Sequence, residues 1–194
     1  MLPLWRVTRN RFGKRLHARL DDLGVTVSRL YEYRADLPTD DAAPPAGVDI
    51  GPADPAALPD GVPVEELVDA ETVLTAVDGD ALAGYLFLSA GATVPVPELG
   101  REMSFDGGYV RRLYVDRDHR QRGIASALVA AANAAAADHG ADTAAALIAV
   151  DNRPSQWTFE SRGYERVARH AYDRLGPLVR RRRRPVTAES PSPP

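Results

Sequence analysis

Apolar and polar residues recur along the first half of this chain in patterns that predict a helix and then several strands. Residues 1–23 predict a basic amphipathic helix, because their apolar residues recur at near-helical spacing among basic ones: Trp5, Phe12, Leu16, Leu20 and Leu23. Residues 25–33 alternate apolar and polar side chains and predict a strand. Residues 71–77 and 81–88 predict a β-hairpin around the turn Asp78-Gly79-Asp80.

The second half alternates strands with helices. Residues 109–115 are rich in β-branched and aromatic side chains and predict a strand, and residues 143–150 predict another. An alanine-rich helix is expected between them over about 123–138, with Gly140 as its stop. A short helix from Asn152 to about 162 is followed by one or two strands over 164–175. This order predicts a mixed α/β sheet.

Proline and charge patterns mark the irregular parts of the chain. Residues 36–63 contain seven prolines, so we expect a largely irregular connection, with short helices near 55–58 and 64–70. Residues 89–108 predict a looser connection. Residues 176–194 combine proline and serine with the run Arg180–Arg184, and we expect a mobile tail that is dispensable for chemistry. The chain therefore divides into a helix (1–23), one domain (24–175) and a tail (176–194).

Composition narrows the class of protein. The chain has no cysteine and only four scattered histidines, so we expect no metal site. No apolar run approaches the ~20 residues that span a bilayer, which predicts a soluble, cytoplasmic protein without a membrane span. Residues 24–175 carry 13 basic and 24 acidic residues. This acidic body would repel the polyanions that the arginine run attracts, so we do not expect nucleic-acid binding.

The turn between strand 109–115 and the following helix has the features of an anion site. The first turn of a helix has unpaired N–H groups and partial positive charge. Gly123 and Ala125 keep side chains small there, so a pyrophosphate can approach the backbone, and Arg120 and Arg122 add charge at the flanks. The G-x-G-x-x-G spacing of a Rossmann site is missing, and so is the Gly-Lys-Ser/Thr of a P-loop.

This turn resembles the acyl-CoA-binding signature of the GNAT acetyltransferase superfamily, Arg/Gln-x-x-Gly-x-Gly/Ala, with Arg120, Gly123 and Ala125 at its specified positions. The resemblance covers roughly residues 47–175 and implies a GNAT-like acyl-CoA N-acyltransferase fold. That fold has a mostly antiparallel central sheet, flanked by helices, with a parallel pair splayed at the CoA site. It also implies a set of cofactor-binding residues: Leu113, Tyr114, Val115, Arg120, Gln121, Arg122, Gly123, Ile124, Ala125, Ser126, Asn152 and Ser155.

A second segment resembles the same family, about 30 residues further along. Asn152-x-x-Ser155-x-x-x-Phe159-x-x-x-Gly163-Tyr164 keeps the spacing of a family helix that lies along the pantetheine arm. Asn152 is equally compatible with a plain N-cap role. Family members often have tyrosine at the position of Phe159, where its hydroxyl protonates the departing CoA thiolate. Phenylalanine has no such proton, so the catalytic acid stays unassigned.

The resemblance implies transfer of an acetyl group from acetyl-CoA to a primary amine, by direct attack in a ternary complex. The alternative is a non-catalytic acyl-CoA-binding module that regulates a partner. The carboxylates near this region are Glu98, Glu102, Asp106, Asp116 and Asp151. Glu102 and Asp106 are our first choices for the general base, because the connection before strand 109–115 is expected to border the acceptor cleft. The acceptor is expected to be a small-molecule or peptide amine. The N-terminal helix is expected to pack on the body or on a second subunit of a homodimer.

Overall fold

The computed structural model describes residues 25–69 and 71–186, and the helix predicted over 1–23 lies outside them. The strands are β1 Val25–Asp36, β2 Val48–Ala53, β3 Glu71–Asp78, β4 Ala81–Ala90, β5 Thr93–Val96, β6 Arg101–Ser104, β7 Gly108–Val115, β8 Thr143–Ala149, β9 Glu165–Leu175 and β10 Leu178–Pro185. The α-helices are α1 Ile124–Asp138 and α2 Arg153–Glu160. Short 3-10 turns occupy Pro55–Ala57, Val64–Glu66, Pro97–Leu99 and Arg117–His119.

Eight strands form one mixed sheet in the order β10-β9-β1-β8-β7-β4-β3-β2. Neighbouring strands are antiparallel except β7 and β8, which are parallel. A parallel pair requires a crossover connection, and α1 supplies it. The mostly antiparallel sheet with one parallel pair confirms the fold class expected from the sequence.

Helix α1 ends where the sequence predicts. Gly140 has a φ of +83°, its N–H donates to Ala137 O, and the next N–H, of Ala141, donates to Ala136 O. These two bonds satisfy carbonyl groups that the end of a helix leaves free, in the arrangement known as a Schellman motif. A side-chain-bearing residue is strained at this φ, so glycine fixes the end of α1.

Strand β1 lies inside the sheet, between β8 and β9. The family resemblance covered only residues 47–175 and did not include this strand. Strand β1 pairs with β8 on one side and β9 on the other, and Tyr33 is fully buried. The alternation of residues 25–33 predicted the strand, but pairing partners so distant along the chain leave no local signal. Strand β1 is therefore an integral part of the sheet.

Three segments expected to lack regular structure contain strands. Val48–Ala53 within the proline-rich connection pairs with β3 at the edge of the sheet, where a proline such as Pro52 is tolerated. Residues 93–104 form a small separate hairpin of β5 and β6, here called the covering hairpin. Leu178–Pro185, which belongs to the tail expected to be mobile, forms the edge strand β10, while residues 187–194 lie outside the described part. The ladder to β9 pairs the backbone groups on the inner side of β10, and its charged side chains remain exposed.

The two faces of the sheet are buried by different segments. Helices α1 and α2 cover one face, and their core includes Tyr33, Leu86, Val110, Leu128 and Phe159. The covering hairpin packs on the opposite face of β7, β8, β1 and β9 through Val94, Val96 and Leu99. Residues from the 3-10 turns near 55–68 cover β3 and β4 on that same side. Within the described residues, no helix is both long and apolar enough to cross a membrane.

Candidate functional site

The parallel strands β7 and β8 separate after only three paired positions. Gly108, Tyr109 and Val110 face Ala144, Ala145 and Ala146, and no later residues of the two strands pair. On its other side β7 continues to pair with β4 as far as Val115, but with a bulge. Phe87 faces Arg111 and Tyr85 faces Tyr114, so two residues of β7 oppose Leu86 alone. Because a bulge bends its strand, this irregularity contributes to the separation.

Arg112, within this bulge, has a φ of +56°, which is uncommon for a residue other than glycine. Its side chain forms an ion pair with Glu66. The preceding Arg111 donates to both carboxylate oxygens of Glu71, at 2.7 and 2.6 Å, and is largely buried. These contacts tie the bulged part of β7 to the 3-10 turn Val64–Glu66 and to the first residue of β3.

A cleft of about 540 Å³ lies between the separated strands. One wall is β7 from Tyr109 to Tyr114, and the other is β8 from Ala146 to Ala149 together with α2. The covering hairpin closes one side with residues 95–98. The predicted residues that line the cleft are Leu113, Tyr114, Asn152 and Ser155, and Phe159 also contributes to the lining.

Asn152 and Ser155 form a polar pair on the α2 side of the cleft. Asn152 occupies the N-cap position without a side-chain capping bond, and its amide donates to Ser155 Oγ at 2.8 Å. The observed contact is therefore between two cleft-lining side chains. The plain N-cap role does not describe it.

The turn between β7 and α1 has the geometry expected of an anion site. Gln121 and Gly123 have φ values of +63° and +83°. An added Cβ at Gly123 would meet nothing within 4 Å, so the space in front of the helix start is open. The first intrahelical bond runs from Ala127 N to Gly123 O, which leaves the N–H groups of residues 124–126 outside the helical pattern. These groups can bind an anion.

The side chains of this turn have defined partners. Arg120 Nε donates to Val115 O at 3.1 Å and connects the turn to the end of β7. Arg122 is in an ion pair with Asp78 Oδ2 at 2.6 Å. The Ile124 side chain is buried in the core, while Ala125 and Ser126 are half-buried. Backbone N–H groups are thus the main anion ligands that this turn offers.

The two carboxylates chosen from the sequence do not line the cleft. Glu102 is exposed on β6, and Asp106 is exposed just before β7. Glu98, in the 3-10 turn of the covering hairpin, is the one carboxylate among the described residues that line the cleft. The sequence could not single it out, because the short connection 93–104 had no recognised strand pattern and its fold over the sheet is a tertiary effect.

Tyr85, Tyr109 and Tyr114 are among the residues that line the cleft. Burial raises the pKa of Tyr109 well above its usual value, and the nearby Glu98 carboxylate raises it further. Burial also raises the pKa of Tyr85, with a smaller contribution from Tyr114. Tyr109 and Tyr85 therefore remain protonated at neutral pH and can donate hydrogen bonds.

Comparison with known proteins supplies the family. The acetyltransferase (GNAT) family matches residues 40–164, which is more than half of the chain. The chain belongs to the acetyltransferase (GNAT) family. No curated protein matches the sequence.

Several solved structures share this GNAT fold. A Drosophila protein has a TM-score of 0.59 at 18% identity, over 86% of this chain and 58% of its own. A GCN5-related N-acetyltransferase from Kribbella flavida has a TM-score of 0.56 at 15% identity, over 85% and 66%. A tandem GNAT protein from the clavulanic acid biosynthesis pathway has a TM-score of 0.56 at 18% identity, over 87% and 60%. The GNAT chain described here thus spans about three fifths to two thirds of each of these proteins.

Proposed function

We propose that this GNAT protein transfers an acetyl group from acetyl-CoA to a primary amine by direct attack within a ternary complex. The observation that carries the proposal is the pairing of β7 and β8, which ends at Val110 and Ala146 and leaves a cleft between the strands. The β7 wall of this cleft continues along the chain into the turn whose helix start at Gly123 is open. An extended ligand with an anionic group at one end fits such a cleft. Family membership supports acyl-CoA as that ligand.

The pyrophosphate of the cofactor would lie on the N–H groups of residues 121–126. The pantetheine arm would lie along the edge of β7 that faces the cleft. Beyond Val110 this edge has no β8 partner, so the backbone groups of Leu113, Tyr114 and Val115 on that side can pair with pantetheine amides. Asn152 and Ser155 would face the arm from α2. A backbone N–H near Val115 would stabilise the oxyanion of the tetrahedral intermediate.

Glu98 is the proposed general base. A lysine-like amine has a pKa of about 10.4, so only about one molecule in 2,500 is uncharged at pH 7. A carboxylate within reach, directly or through one water, can remove that proton. The position of Glu98 supports this assignment, because Glu98 lines the cleft and Glu102 and Asp106 do not.

Phe159 supplies no proton for the leaving group. A thiol with a pKa of about 8.5 gives a thiolate that is a fair leaving group. Water or one of the lining tyrosines is therefore sufficient to protonate it. The lack of a tyrosine hydroxyl at position 159 also favours the alternative function, a non-catalytic acyl-CoA-binding module. In that case the protein would bind acetyl-CoA and release no free thiol with any amine.

The test combines calorimetric titration of acetyl-CoA with detection of released thiol across a panel of small-molecule and peptide amines. We expect binding together with thiol release for at least one amine class. Glu98→Gln should lower kcat by about 100-fold or more while acetyl-CoA affinity is unchanged. Glu102→Gln is the matched control, since it makes the same change on the same hairpin outside the cleft. Equal kcat for both variants would exclude Glu98 as the base.

A further inference from the structure

The edge strand β10 and the covering hairpin enclose a second recess, away from the cleft. The recess has a volume of about 110 Å³. Since a single water needs roughly 10–15 Å³ of such volume, several waters or a small polyatomic ion fit inside. Four arginines line it, Arg101, Arg181, Arg182 and Arg183, together with His170. No carboxylate is among its lining residues in the described part of the chain.

The alternation of β10 places the side chains of Arg181 and Arg183 on one face. Arg181 faces Tyr172 and Arg183 faces His170 across the ladder with β9, and both contact groups on the covering-hairpin side of the sheet. Successive side chains of a strand point to opposite faces, so Arg180, Arg182 and Arg184 project the other way. Two of the five arginines in the run therefore direct their side chains to the recess side.

The one carboxylate near the recess is already fully engaged. Glu32 is only 2% exposed and accepts hydrogen bonds from Arg34, Arg183 and His170. The hydrogen bond from His170, together with Arg183 and Arg34, lowers the pKa of Glu32 to about 2 against the opposing effect of burial. Glu32 is therefore ionised, but it lies behind His170 and does not line the recess.

His170 adds no negative charge and keeps Arg101 in place. Arg101 Nη2 lies 3.3 Å from His170 Nδ1. Arginine can only donate, so Nδ1 accepts, and Nε2–H donates to Glu32 Oε2 at 2.8 Å. Arg101 contacts no carboxylate within residues 25–69 and 71–186; its other partner is Met103 Sδ at 3.6 Å. A guanidinium on the wall of the recess thus has a neutral partner only.

Most N–H groups of these arginines have no partner in the described structure. A guanidinium has five N–H donors. Arg183 uses only Nε, on Glu32, and Arg181 uses Nε and Nη2 on the carbonyls of Leu99 and Gly100. Arg101, Arg181 and Arg183 thus present positive charge and N–H groups without partners to a recess that no carboxylate of the described residues lines. This arrangement favours a bound oxyanion, because guanidinium N–H groups match the geometry of its oxygens.

We propose that this recess is a binding site for a small phosphate or phosphate monoester, held by Arg101, Arg181 and Arg183. The proposal is independent of acetyl transfer. Arg101 belongs to the covering hairpin and the other two belong to β10, so the bound oxyanion would bridge the hairpin to the edge strand. Arg181 and Arg183 are exposed, which allows the organic part of a monoester to extend into solvent.

The test is a titration of the full chain with inorganic phosphate and, separately, with glycerol phosphate at constant ionic strength. Nuclear magnetic resonance would follow the arginine Nε–H and His170 ring signals. A Gly123→Glu background removes the anion site proposed at the start of α1, so that the two sites are read separately. We expect saturable shifts at Arg101, His170 and Arg183. Tighter binding of the monoester would identify an organic phosphate as the ligand, and equal binding would identify phosphate itself.

Two charge-matched variants decide the assignment. Arg101→Gln/Arg183→Gln should weaken phosphate binding by about tenfold or more, since charge-assisted hydrogen bonds are lost. Arg180→Gln/Arg184→Gln removes the same charge from the opposite face and should bind as the wild type does. Ligand-induced thermal stabilisation should follow the same order. Absence of saturable shifts in the parent protein, or equal weakening in both variants, would overturn the proposal.

Discussion

Arg181 of β10 is bound to the covering hairpin through the backbone of Gly100. Its Nη2 donates to Gly100 O at 2.7 Å and its Nε donates to Leu99 O at 3.1 Å. Gly100 lies so close to Tyr172 that an added Cβ would be 2.8 Å from the tyrosine hydroxyl. The Arg181 guanidinium also stacks over the Tyr172 ring at 5.1 Å. These contacts fix the residues that directly follow Glu98, the carboxylate in the cleft.

Arg181→Ala is therefore expected to loosen the covering hairpin. Loss of two hydrogen bonds to carbonyl groups should lower the free energy of unfolding by about 1–3 kcal/mol, because each contributes roughly 0.5–1.5 kcal/mol. Hydrogen exchange of residues 93–104 should become faster. Arg180→Ala, on the opposite face of the same strand, should change neither quantity. Equal effects of the two substitutions would show that only general charge matters.

The same contacts revise the expectation that residues 180–194 are dispensable. Deleting them removes most of β10, exposes the edge of β9 and removes Arg181 with its hydrogen bonds to the hairpin. We now expect lower stability and lower turnover in the truncated protein. Denaturant unfolding and thiol release are the measurements. Turnover within a few-fold of the full chain would restore the original expectation.

Gly123→Glu should abolish measurable acetyl-CoA binding. The carboxylate would occupy the open space before α1 and repel the pyrophosphate, a loss of at least about tenfold in affinity since charge-assisted bonds contribute about 1.5–3 kcal/mol. Gly140→Glu is a matched control, because Gly140 has the same φ of +83°, also with open space, at the other end of the same helix. Calorimetry on both folded variants separates backbone strain from electrostatics. Unchanged affinity in Gly123→Glu would contradict the site.

The sequence predicted the parts of the fold and site that depend on local pattern. The strand–turn–helix around Gly123, the helix stop at Gly140 and the hairpin at Gly79 all follow from short-range chemistry. The central position of β1 and the strand β10 depend on pairing between distant segments, which no local pattern encodes. The same reason explains Glu98: it enters the cleft only because Leu99 is buried against the sheet and Arg181 holds the hairpin there.

Glu32 should make stability depend on acid pH. Its folded-state pKa of about 2 is below the ordinary value of 4.5, so the carboxylate stabilises the fold above pH 4.5. This contribution is lost as the pH falls towards 2, and the shift corresponds to about 3 kcal/mol at neutral pH. Glu32→Gln should therefore be less stable than the wild type at pH 7, with the difference shrinking towards pH 2. Urea unfolding across this range is the measurement, and Glu165→Gln, an exposed carboxylate on β9, is the control. A pH-independent difference would show that Glu32 acts by packing alone.

Phe159→Tyr tests whether the leaving group needs a proton from α2. Phe159 is 3% exposed, lines the cleft and packs edge-on against Tyr164 with ring centroids 4.9 Å apart. A hydroxyl added to the ring would either reach the cleft or be buried without a partner, and the second case costs about 1–3 kcal/mol of stability. We expect the new hydroxyl to reach the cleft, with unchanged stability and with thiol release that is equal to or faster than that of the wild type.

The comparison of Phe159→Tyr with the wild type also separates the two proposed functions. If the protein is an enzyme whose CoA thiolate is protonated by another group, both the wild type and Phe159→Tyr release thiol. The added tyrosine then supplies a second proton donor. A non-catalytic acyl-CoA module binds acetyl-CoA in both forms and releases no thiol with any amine, because its deficiency is not confined to the acid. Thiol release by the wild type alone would mean that the added hydroxyl obstructs the cleft. The pantetheine arm would then lie closer to Phe159 than its proposed position along the edge of β7.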